Sequence, residues 1–66
     1  MSEELLRELE QLASTRQSLR RTIHLGYEMG ADPSYLDQLD VALFAIEIRE
    51  RKLNEKRAKR FVFNKN

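Results

Sequence analysis

The sequence predicts an all-α fold, an antiparallel hairpin of two long helices. Three observations carry that prediction. The breaker residues gather in one place, Gly30-Ala31-Asp32-Pro33, with Gly26 the only other glycine in the chain. Apolar residues on both sides of the break recur with alternating spacings of three and four, the period of helices packed along a narrow seam. Finally, the first seam contains one Arg and the second contains one Glu, at positions that can face each other.

The first helix is expected at about residues 2–29. Its seam positions 5, 9, 12, 16, 19, 23, 26 and 30 read Leu, Leu, Leu, Arg, Leu, Ile, Gly, Gly. Glu3 and Glu4 open it, where negative charge complements the helix dipole, and Arg20 and Arg21 come late in it. The turn occupies residues 30–32. Gly30 suits the left-handed residue that closes a helix, Asp32 is a carboxylate N-cap, and Pro33 is preset for a first helical position.

The second helix is expected at about residues 33–60, with a short tail at 61–66. Its seam positions 36, 39, 43, 46, 50, 53 and 57 read Leu, Leu, Leu, Ile, Glu, Leu, Arg. Asp37 and Asp40 are expected in its first turns, and Arg57, Lys59 and Arg60 near its end, again following the dipole. Folding the chain at residues 32–33 makes facing residues sum to 65 or 66. Leu12 then meets Leu53, Leu19 meets Ile46, Ile23 meets Leu43 and Gly26 meets Leu39. In the same register Arg16 falls opposite Glu50. A heptad slip would strand one of these charges, at about 3–5 kcal/mol if it were fully buried.

A hairpin of this kind covers one face of each helix, and helix 2 has two. At 100° per residue, Val41, Phe44 and Ile48 project nearly opposite the seam, with Ala45 beside them. Apolar residues all round a helix call for a covering on every side. The expected covering is a second copy, giving a four-helix bundle, or a different protein that receives the face. A chain of 66 residues has little core of its own, which favours self-association. Val41, Phe44, Ala45 and Ile48 are therefore the expected partner-binding residues.

Composition narrows the chemistry. The chain has no Cys, so neither a disulfide framework nor a thiolate metal site is available, and its one His is too few for a zinc site. Glu28, Asp32, Asp37 and Asp40 gather around the turn without the spacing of a calcium loop, and His24 has no nucleophile or second His beside it. No cofactor or metal is expected, and no catalytic set is evident. No apolar run approaches the ~18–20 residues of a membrane span, and the acidic start does not resemble a signal peptide. A cytoplasmic protein without a membrane partner is expected.

From Arg49 to Asn66 there are eight Lys/Arg against two Glu, whereas residues 1–33 carry four against six acids. This asymmetry opens a nucleic-acid alternative through Arg51, Lys52, Lys56, Arg57, Lys59 and Arg60. The overall charge of +1 argues for a protein partner first. Phe61-Val62-Phe63 is read as closing the open end of the hairpin.

Two family resemblances bear on function. Leu36-Asp37-Gln38-Leu39-Asp40, with Leu12, Arg16 and Leu19 on the first helix, resembles the small sporulation-type aspartyl-phosphate phosphatases. These are cysteine-free helical hairpins whose second helix carries Ser-Gln-Glu-Leu-Asp. Leu39 and Asp40 match that motif; its Ser and central Glu are absent. The resemblance spans residues 12–46 and implies Asp40 as a functional residue acting on a phosphorylated response regulator. The length and the turn pattern Gly30-x-Asp32…Tyr35 are similar to those of the hairpin co-chaperones of type III secretion needle subunits. That likeness implies docking on a repeat-helical partner. The primary expectation is a small non-enzymatic regulator, adaptor or chaperone that works by protein–protein contact.

Overall fold

The computed structural model describes the backbone of residues 3–65 and the side chains of residues 3–58. It contains two helices packed against each other, α1 (Glu3–Met29) and α2 (Pro33–Lys65). The hairpin is a rod of 53 × 16 × 14 Å. Its radius of gyration of 15.6 Å exceeds the ~11 Å of a compact chain of this length.

The turn is built from backbone hydrogen bonds. Gly30 adopts φ 70°, the left-handed conformation that a residue with a Cβ enters at a cost of roughly 1–2 kcal/mol. Gly30 N–H donates to Tyr27 C=O (3.3 Å) and Ala31 N–H to Gly26 C=O (2.8 Å). This pair of bonds is the Schellman closure, and it satisfies carbonyls that the helix end leaves open. Asp32 then caps α2: its Oδ1 accepts from Ser34 N–H (3.3 Å), and its C=O accepts the first helical bond, from Leu36 N–H (3.1 Å). With Met29 ending one helix and Pro33 starting the next, the hairpin folds about Ala31.

That centre lies before the expected fold at 32–33, and the register near the turn changes with it. Gly26 faces Leu36, not Leu39. A Cβ on Gly26 would lie 2.6 Å from Leu36 Cδ2, so the missing side chain is what lets this leucine seat against α1. Leu36 is 5% exposed as a result.

Further from the turn, side-chain lean brings the expected pair Arg16 and Glu50 together. Side chains tilt toward their own helix N-terminus. In this hairpin, α1 side chains therefore lean away from the turn and α2 side chains lean toward it. Arg16 lies 15 residues from Ala31 and Glu50 lies 19. The opposed tilts close that offset of about 6 Å, and Arg16 Nε donates to Glu50 Oε1 at 2.9 Å.

The buried apolar side chains among the described residues are Ile23, Leu36 and Leu53. Leu5, Leu9, Leu12, Leu19, Leu39, Leu43 and Ile46 are half-buried along the same seam. Two other expectations change. No basic residue lies in the last turn of α1, and no acidic residue in the first turn of α2. Asp37 and Asp40 therefore lie beyond the reach of the helix end, where the dipole effect has faded. The α2 backbone also runs through Lys65, so residues 61–65 of the expected tail are helical, because no Gly or Pro follows Pro33 to stop it. The side chains of Phe61-Val62-Phe63 lie outside the described residues.

Candidate protein-docking surface

Ion pairs line both flanks of the seam. On one flank Arg16–Glu50 is joined by Arg20 Nη2 to Glu47 Oε2 at 2.7 Å. The groove beside them is lined by Arg16, Arg20, Glu47, Glu50, Arg51 and Asn54. On the other flank Arg49 donates from Nε (3.1 Å) and Nη2 (3.0 Å) to Glu8 Oε2. Arg20 thus serves an interhelical pair, not the dipole of α1. The Arg16 and Glu50 side chains keep 29% and 16% of their surface exposed, so the pair is partly desolvated. The other two pairs lie in water.

The opposite side of α2 is uncovered. Val41 retains 68% and Phe44 61% of its surface, and Ala45 is exposed beside them. Ile48 differs from its neighbours in being half-buried. Asp37 and Asp40 stand exposed at the turn side of this patch, and Arg51 and Lys52 at its other side. The apolar patch therefore has an acidic end and a basic end.

Sequence periodicity missed part of the exposed apolar surface. Leu25, Tyr27, Met29 and Tyr35 are exposed as well, as is Leu6. Except for Leu6, the large apolar residues exposed among the described residues lie between positions 25 and 44, in the half of the rod nearest the turn. Leu25 and Met29 are four apart and off the seam, a signal present in the sequence. Tyr27, Gly30, Ala31, Pro33, Leu36 and Asp37 line a hollow of about 250 Å³ at the turn.

Asp40 is exposed on the flank of the Val41–Phe44 patch. Arg51, Lys52, Lys56 and Arg57 are also exposed, and at 100° per residue they spread around α2 instead of forming one stripe. The side chains of Lys59 and Arg60 lie outside the described residues. His24 Nε2 is 3.0 Å from Glu28 Oε1 one turn on, both well exposed. Among the described residues no three His, Asp or Glu side chains converge to hold a metal ion. None of the described helices is long and apolar enough to cross a membrane. No protein-family model, curated protein or solved structure matches the chain.

Proposed function

We propose that this protein is a non-enzymatic interaction module, a small cytoplasmic regulator, adaptor or chaperone. Its contact surface is the outer face of α2: Val41, Phe44, Ala45 and Ile48. Self-association into a four-helix assembly and docking on a second protein are both uses of that face. The observation that carries the reading is the exposure of Val41 and Phe44, 68% and 61%, on a helix whose other face is already packed. Burying such side chains contributes about 1.5–3 kcal/mol each, and a contiguous apolar patch left open marks a binding site.

The test is Phe44→Glu. The substitution puts a charge in the centre of the patch and leaves the Arg16–Glu50 seam untouched. Sedimentation should show loss of assembly, and affinity capture should show loss of the bound partner, while circular dichroism retains most of the helical signal. Assembly and capture equal to wild type would remove the reading.

A further inference from the structure

We infer that the outer face of α2 packs antiparallel on the same face of a second copy. The two-fold axis passes between Phe44 and Ala45, so Asp37 and Asp40 of each chain meet Lys52 and Arg51 of the other. The inference rests on the interaction reading above and identifies its partner.

The first argument is area. A compact monomer of 7.8 kDa exposes about 4,400 Å², whereas this chain exposes 5528 Å². The excess, about 1,100 Å², is comparable with the ~800 Å² that each partner buries in a standard interface. The rod therefore has surface enough to lose to a second copy.

The second argument is the order of charges along the patch. Acids precede it at 37 and 40, and bases follow it at 51 and 52. A two-fold axis perpendicular to antiparallel helices keeps each flank on its own side while reversing chain direction. Asp40 and Arg51 project toward the same flank at 100° per residue, so the axis brings them within two residues, about 3 Å, of the same level, twice per dimer. Val41 falls opposite Ile48 in the same register, and Glu55 opposite Ser34. Parallel packing would instead set Asp40 level with Asp40 and Arg51 level with Arg51 on opposite flanks, so that no acid meets a base. Charges distributed in this way select orientation and partner.

The third step concerns shape. The docking face lies nearly opposite the seam, so the four helices form one layer in the order α1, α2, α2, α1. This replaces the square bundle as the arrangement of the assembly.

Two full-length charge variants test the register at low salt, where screening is weak. One carries Asp37→Lys with Asp40→Lys, the other Arg51→Glu with Lys52→Glu. Sedimentation equilibrium should show each alone with a dimer dissociation constant raised at least about tenfold. Their equimolar mixture should recover the dimer, a rescue that misfolded chains cannot give. Wild-type-like dimers from each variant alone, a mixture that stays monomeric, or a wild-type chain that never dimerises would each overturn the inference. Phe44→Glu separates the two levels. If it abolishes assembly or capture while the charge variants change nothing, the interaction reading stands and this register falls. If it changes neither assembly nor capture, both fall.

Discussion

The two faces of α2 are built from similar residues and meet different fates. The seam face carries Leu36, Leu39, Leu43, Ile46 and Leu53, and is buried or half-buried against α1. The outer face carries Val41, Phe44, Ala45 and Ile48, and only Ile48 is half-buried. Apolar content alone therefore does not say which face is core. What distinguishes them is the company each keeps. The seam face meets a matching stripe on α1, with Gly26 clearing space for Leu36 and Arg16 answering Glu50. The outer face, Ile48 apart, is open in the hairpin, and is bounded at its two ends by opposite charges. One face encodes the fold of a single chain; on the reading proposed above, the other encodes its assembly.

The comparison breaks most visibly if the seam is not where stability resides. Leu53 is 3% exposed, and it lies far from the turn, where the hairpin has no covalent link to hold it shut. Leu53→Ala should destabilise the fold by about 2–5 kcal/mol, read as a large fall in the urea midpoint of the helical signal. In a small domain of marginal stability, that is enough to leave much of the chain unfolded. A midpoint close to wild type would mean that the seam is not the core.

The charged pair within the seam should contribute less. Arg16 and Glu50 are 2.9 Å apart, but both keep some contact with water, so the several kcal/mol of a fully buried pair does not apply. A double-mutant cycle with Arg16→Ala and Glu50→Ala should return a coupling of about 1 kcal/mol. Exchanging the charges, Arg16→Glu with Glu50→Arg, should recover much of what either single reversal loses. If the exchanged chain is no more stable than the worse single variant, the pair does not help to set the register.

Much of this seam was legible in the sequence, because helical period, a breaker cluster and two opposed charges are local signals. The pairing of Arg16 with Glu50 needed only a count along each stripe. The local register at Gly26 was not legible, because it depends on where the Schellman closure and the Asp32 cap place the turn. A shift in that centre changes which leucine a glycine accommodates. The end of α2 was expected near residue 60, whereas a helix without Gly or Pro has no local reason to stop there. The exposed Leu25, Tyr27, Met29 and Tyr35 do not together repeat at seam spacing, so helical period alone does not mark them as part of an apolar surface. As for the docking surface, the sequence placed the apolar residues on one side of α2. It did not separate the half-buried Ile48 from the exposed Val41 and Phe44, because that depends on how far α1 reaches around the helix.

The smallest expected effect gives the sharpest contrast between the faces. Val41 retains most of its surface in the hairpin, so truncating it removes little burial within one chain. Alanine is also the better helix former, by about 0.5 kcal/mol over a β-branched residue. At protein concentrations low enough to keep the chain monomeric, Val41→Ala should shift stability by no more than about 0.5 kcal/mol, in either direction. At concentrations where the wild-type chain assembles, the same substitution should weaken self-association, because Val41 loses the methyl groups that meet Ile48 of the second copy. Urea unfolding at dilution and sedimentation at higher concentration read the two effects separately. A loss above about 1 kcal/mol in the dilute chain, more than surface truncations give, would show that Val41 already packs within the hairpin. The outer face would then belong to the fold, and the division between the two sides of α2 would disappear.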